Sequence, residues 1–174
     1  MIDALRFVYG AIAKKDFVPE LTHFRIRSGY VYAFNGRMAL CSPADTDINA
    51  DPLATLMMRA LQQFVGDSVS LALTDAGALR IRSGRFRADV PCLDKPASFD
   101  AYPVGDPVSC PENFVDALKE IRPFVGEDAS RPFSMAVQLS GNTMLATNNI
   151  MAAELYLNDT LPELLLPRFA VDEL

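Results

Sequence analysis

His23 is the only histidine in the chain, and Cys41, Cys92 and Cys110 are its only cysteines. His23 stands beside a strand pattern, and no Ser/His/Asp or Cys/His set assembles around it, so it reads as a surface or packing residue. An odd number of cysteines without metal-ligand spacing points to reduced thiols in a cytoplasmic compartment. No glycine-rich phosphate-cradling loop of the GxxxxGK or GxGxxG kind occurs. Carboxylates are plentiful, but a catalytic pair that meets only in three dimensions leaves no mark on a sequence. The cations are more informative. Arg80, Arg82, Arg85 and Arg87 alternate with Leu79, Ile81, Phe86 and Ala88, which puts arginines on one face of a hairpin, and such a face is ordinarily just a wet sheet surface. Arg6, Lys14 and Lys15 lie off the apolar stripe of the first helical pattern. The lysine pair either complements a helix dipole or serves in binding.

The elements that must carry these groups come from a chain of 174 residues, half of them apolar, with net charge −6. That length suits one domain or two small ones with a packed core. No apolar run is long enough for a membrane helix. The opening MIDALRFVYGAIAKK has its acid early and its lysines late, the reverse of a secretory signal, and reads as a mature soluble start. Net acidity argues against simple electrostatic attachment to nucleic acid, though not against a local basic face.

A unit of one amphipathic helix and three short strands recurs. In the first unit a helix over Asp3–Lys15 carries Leu5, Val8, Tyr9 and Ile12 on one side. Strands follow at Phe24–Arg27, Tyr30–Phe34 and Met38–Cys41, turned at Ser28-Gly29 and Asn35-Gly36. In the second, Pro52 is the first position of a helix whose apolar face is Leu53, Leu56, Met57, Ala60, Leu61 and Phe64. Arg59, Gln62 and Gln63 fall opposite, and Gly66 stops it. Strands follow at Ser68–Leu73, Ala78–Arg82 and Arg85–Val90, turned at 74–77 and Ser83-Gly84. The third has a helix from Phe114 to about Phe124 and strands at Phe133–Leu139, Thr143–Thr147 and Met151–Leu157. Its turns are Ser140-Gly141-Asn142 and Asn148-Asn149. Leu164–Leu166 is then a short strand, and Pro167 opens a fourth helix with Phe169, Val171 and Leu174. Residues 1–95 form a complete domain of two units, and residues 96–109, rich in proline, a connector. Residues 110–174 form a second domain that is apparently incomplete. The fold class is α+β, with helices packed on antiparallel sheets.

The order of these motifs resembles the DNA sliding clamps, in particular the bacterial DNA polymerase III beta subunit and its phage relatives. Gly84-Arg85-Phe86 leads through a polar loop to Phe99, Tyr102 and Pro103, like the clamp's strand and connector. Phe114, Ala117-Leu118, Ile121, Asp128, Arg131-Pro132, Val137, Leu139, Leu145-Ala146-Thr147-Asn148 and Ala152-Ala153 then follow in the order of the clamp's second domain. Leu164-Leu165-Leu166-Pro167 is similar to the strand and proline that begin its next helix. Thr147-Asn148-Asn149 departs from the family's Thr-Asp-Gly turn.

The resemblance implies a non-enzymatic processivity factor without cofactor or metal. Its partners would be duplex DNA held without base readout, a DNA polymerase and a clamp loader. Its full-length form would be a head-to-tail homo-oligomer that encircles DNA, with helices lining the hole. The expected DNA-binding groups are Arg6, Lys14, Lys15, Arg59, Gln62, Gln63, Lys119, Arg122 and Arg168. Asp3, Asp116, Glu120, Asp172 and Glu173 share those helices and could pair with them instead. Clamps also hold partner peptides in an apolar pocket, which the resemblance carries onto Thr147, Asn148, Ile150, Met151 and Ala152. Ile150 and Met151 stand where the family more often has polar or basic residues, and core packing of Met151 is the competing reading. Two alternatives remain: a protein-interaction module on the same fold without DNA encirclement, and a small enzyme.

Overall fold

The computed structural model describes residues 1–63, 69–95 and 106–173. The chain divides into two compact units, Met1–Val104 and Gly105–Leu174. Phe64, Gly66, Ser68, Phe99, Tyr102, Pro103, most of the connector and Leu174 lie outside the described residues.

In the first unit, helix α1 covers Ile2–Val8 and buries Ala4, Leu5 and Val8. It tightens into a 3-10 turn over Tyr9–Ala11, and does not run on to Lys15 as the apolar spacing suggests. Gly10 is a poor helix former, Ile12 is already extended, and the Ala13 N–H leaves the helix to donate to Leu21 O at 2.9 Å. Lys14 and Lys15 therefore stand on a loop. Pro19 opens a short 3-10 turn, Pro19–Thr22. Strands β1 (Arg25–Arg27), β2 (Tyr30–Phe34) and β3 (Ala39–Pro43) form an antiparallel sheet in that order. Ser28 and Gly29 both take positive φ, 51° and 79°, the backbone a two-residue hairpin turn needs.

Helix α2 covers Ala54–Gln62 and buries Ala54, Met57, Ala60 and Leu61. Two expectations fail here. Pro52 is not helical, since it bridges Cys92 across an antiparallel step. Leu56, assigned to the core face, is exposed. Strands β4 (Ser70–Leu73), β5 (Leu79–Ser83) and β6 (Phe86–Val90) make the second sheet. Ile26, Val31 and Ala33 of the first sheet, Leu79, Ile81 and Val90 of the second, and the inner faces of both helices share one core. Neither repeat could bury its apolar face alone. Residues 50–53 stitch the repeats together, with bridges Ile26–Ala50, His23–Leu53 and Pro52–Cys92. At this seam Arg27 Nη2 meets Asp51 Oδ2 at 2.8 Å, and the Asp51 side chain is only 1% exposed.

The second unit begins with α3, Phe114–Ile121, followed by a 3-10 turn over Arg122–Phe124. Its strands correct the sequence reading. Phe133 belongs to a 3-10 turn, Pro132–Met135, and is exposed. Ser140-Gly141-Asn142 is no hairpin turn. It lies inside one strand, β7 (Ala136–Thr147), with register shifts on either side of Gly141. Gly141, at φ 60°, takes up the irregularity as a bulge, which Gly and Asn suit as well as they suit a turn. Leu164–Leu166 is likewise the end of a sixteen-residue strand β8, Ala152–Pro167, paired antiparallel with β7. Four expected short strands are thus two long ones. Pro167 caps rather than opens α4, Arg168–Val171. Ala117, Leu118, Ile121, Val137, Leu139, Met144, Leu157 and Val171 close the core.

Candidate nucleic-acid interface and partner groove

The cations separate into those already engaged and those without a partner among the described residues. On the exposed side of α1, Arg6 reaches Asp3 at 3.4 Å one turn away. In the second unit Lys119 reaches Asp116 at 3.4 Å, and Arg122 Nε donates to Asp172 at 2.6 Å. Arg168 is the most committed. It contacts Glu127 at 2.7 Å and Asp172 at 3.8 Å, and donates to Val125 O at 2.7 Å, tying α4 to the end of the preceding turn. Lys14, Lys15 and Arg59 have no such counter-ion among the described residues and are exposed. Gln62 and Gln63 are exposed beside Arg59 at the end of α2. Of the cations expected to face DNA, Lys14, Lys15 and Arg59 are therefore the ones left open to a phosphate. An exposed i,i+3 pair such as Arg6–Asp3 is worth little and opens readily.

Two of the four arginines of the hairpin, Arg80 and Arg87, are met by a carboxylate, Asp89. Asp89 lies opposite Arg80 in register and accepts from its Nε and Nη2 at 2.7 and 2.8 Å. Arg87 adds a contact at 3.5 Å. The hydrogen bonds from Arg80 hold the Asp89 carboxyl down to about 2 and raise Arg80 above its ordinary value. Asp89 is two residues from Arg87, so strand alternation alone would have placed it on the arginine face.

On the second unit, Phe133, Ala136, Leu145, Thr147, Ala152 and Leu164 are among the residues lining an open groove of about 630 Å³, with Gln138 and Glu163 as polar groups. Of the pocket residues drawn from the resemblance, Thr147 and Ala152 line it. Ile150 and Met151 do not; both are exposed at the β7–β8 turn, so Met151 is not a core residue. Asn148 is spent on the turn itself, its Oδ1 accepting from the Ile150 and Met151 N–H groups at 3.0 and 2.8 Å. Phe133, Leu164 and Leu165 were missed as groove residues, because their convergence depends on the long β7–β8 pairing. His23 is bound into its own loop, with Nδ1 2.7 Å from Pro19 O and 3.0 Å from Thr22 Oγ1. No group of three or more His, Cys, Asp or Glu side chains that could hold a metal ion occurs among the described residues. No helix among them is long and apolar enough to cross a membrane.

Neither a family model nor a curated protein matches the sequence. Solved structures do. The DNA polymerase III beta subunit of Thermotoga maritima matches 99% of this chain at TM-score 0.74 and 17% identity, over 52% of its own length. The Bacillus subtilis DNA polymerase sliding clamp matches 99% of the chain at 0.69 and 14%, over 53% of its length. The Helicobacter pylori beta clamp bound to a DNA ligase peptide matches 99% at 0.69 and 20%, over 55% of its length. The chain spans about half the length of each of these. At such identities the likeness is one of architecture, and the chain has the fold of the DNA polymerase III beta sliding clamps.

Proposed function

We propose that the protein is a sliding-clamp-like, non-enzymatic processivity factor that holds duplex DNA without reading bases and tethers a polymerase. The observation that carries this reading is the clamp fold over 99% of the chain, joined to a set of exposed cations, Lys14, Lys15 and Arg59, that no carboxylate neutralises among the described residues. A sliding contact needs phosphate attraction rather than a base code. Encirclement by a head-to-tail oligomer would replace high affinity, so overall acidity is no obstacle. Arg6, Lys119 and Arg122 would join the DNA-facing set by exchanging a carboxylate for a phosphate, and Gln62 and Gln63 would add neutral hydrogen bonds. Arg168 would contribute least, since its guanidinium is used within its own unit.

Charge reversal of Lys14, Lys15, Arg59, Lys119 and Arg122 together tests the reading. Stimulation of a DNA polymerase on a long primed template should vanish in the variant. Stimulation that persists would remove these residues from DNA contact. A second reading, a clamp-fold interaction module without DNA encirclement, draws on the apolar groove of the second unit. It predicts peptide binding that Leu164→Asp abolishes, and no salt-dependent affinity for duplex DNA.

A further inference from the structure

The loop that follows α1 carries an exposed aromatic side chain at its tip. Phe17 is completely exposed, and Val18 beside it is about half exposed at 47%. Apolar side chains occur singly on most surfaces, but Phe17 stands on a tip whose backbone is fastened. Ala13 N–H donates to Leu21 O at 2.9 Å and closes the base of the loop, while Leu21 N–H donates to Val18 O at 3.1 Å. Asp16 Oδ1 accepts from Val18 N–H at 2.9 Å, so the one acid at the tip is occupied by the backbone turn that surrounds Phe17. Thr22 Oγ1 donates to Pro19 O at 2.8 Å. The two residues before this turn are Lys14 and Lys15, exposed and without a counter-ion among the described residues. A fully presented aromatic face next to two free ammonium groups is the composition that binds single-stranded nucleic acid, with bases stacked on the ring and phosphates at the cations. A lipid surface would ask for a wider apolar face than one Phe and one Val.

We propose that the Lys14–Val18 tip is a contact for unpaired nucleotides, with Phe17 stacking on a base and Lys14 and Lys15 meeting the adjoining phosphates. This rests on the nucleic-acid reading of those lysines and adds a preference for single-stranded over paired DNA at this point. In a duplex the base faces are occupied by their neighbours, and the ring finds nothing to stack on.

The chain contains no tryptophan, so Phe17→Trp in the full chain gives a single indole at the tip. Emission is followed on titration with an oligothymidylate of about 16 nucleotides and with a duplex of the same length. Affinities of wild type, F17A and F17W are measured in parallel by anisotropy. F17W should bind the single strand as wild type does, with its emission quenched. F17A should lose about tenfold in single-strand affinity, from the stacking of one base, while duplex affinity stays unchanged. K14E/K15E should weaken both. Unchanged single-strand affinity in F17A, no binding of the single strand by wild type, or quenching by duplex as strong as by single strand would each overturn the stacking contact. An indole emission that shifts to the blue with anionic vesicles but ignores the oligonucleotide would also overturn it, in favour of a lipid surface. If duplex binding proves indifferent to K14E/K15E while F17A still loses the single strand, the clamp reading of the lysines fails and the stacking contact survives.

Discussion

Removing the Asp51 carboxylate tests how the two repeats of the first unit are held as one. Arg27 lies at the end of β1, and Asp51 in the segment that leads to α2, 24 residues later. Their 2.8 Å contact crosses the seam, with the Asp51 side chain 1% exposed and that of Arg27 23%. Breaking a fully buried pair costs about 3–5 kcal/mol, mostly because the surviving charge is stranded. The two single substitutions leave the surviving charges in different surroundings. Asp51→Ala leaves a guanidinium that still reaches water and still donates from Nη1 to Ile26 O, so its cost should fall to about 2–3 kcal/mol once solvent access is allowed for. Arg27→Met deprives a carboxylate almost wholly out of solvent and should cost the full ~3–5 kcal/mol. The double variant should cost less than the sum, with a coupling of at least about 1 kcal/mol. Urea unfolding followed by far-ultraviolet circular dichroism gives the free energies. Hydrogen exchange of the β1 and β2 amides assigns the loss to this unit. Singles that each cost under about 1 kcal/mol and simply add would place the pair among surface contacts and refute the argument.

Three further outcomes follow from particular residues. Gly126→Ala sets a Cβ 2.7 Å from Ser134 Oγ, 3.1 Å from Ser134 Cβ and 3.2 Å from Ser134 O, in a site where Ser134 is fully buried. It should destabilise the second unit by about 1–3 kcal/mol, and by clearly less in a Ser134→Gly background, as read by urea melts. Asp89 should titrate near pH 2 in carboxyl-detected NMR. Its folded value is depressed, so its link to Arg80 is intact above the ordinary carboxylate range and is lost only as pH falls through that midpoint. Arg80→Met should return the titration to the ordinary range. A disulfide-exchange reagent should modify exposed Cys110 first and Cys92 much later, since burial pushes the Cys92 thiol up. Mass spectrometry of the early adduct identifies the site.

What the sequence disclosed and what it hid divide along physical lines. Leu5 and Val8, Met57, Ala60 and Leu61, and Leu118 and Ile121 all lie on the buried faces of the helices assigned to them. Helical period is a local property, and the apolar face has to be repeated within a few turns. The Ser28-Gly29 turn was legible for the same reason. Local signals misled where two conformations share one composition. Ser140-Gly141-Asn142 suits a turn and a bulge equally, and only the partner strand, twenty residues on, decides between them. The groove needs that same pairing to bring Phe133 and Leu164 together, so only its Thr147 and Ala152 side came from the resemblance. Arg27–Asp51 was invisible because nothing local marks two charges that meet across a seam. The loop position of Lys14 and Lys15 turned on Gly10, whose weak helix propensity outweighed an apolar pattern that continued through Ile12.

The bulged pairing of β7 with β8 also bears on how the protein avoids sticking to itself. Among the described residues these strands make a two-stranded ribbon, and each flank of such a ribbon is an open row of amide and carbonyl groups, the template on which aggregates grow. Between the pairs Gly141–Leu161 and Thr143–Tyr156, β8 advances five residues while β7 advances two. That surplus bends the strand and increases its local twist, which breaks any straight flank into two short ones. Asn158 and Asp159 stand exposed in the surplus, and Glu154 and Glu163 on either side of it, so an incoming strand would meet charge as well as curvature. The irregularity that reads locally as a hairpin turn thus sets curvature and charge against a straight edge-to-edge pairing at this flank.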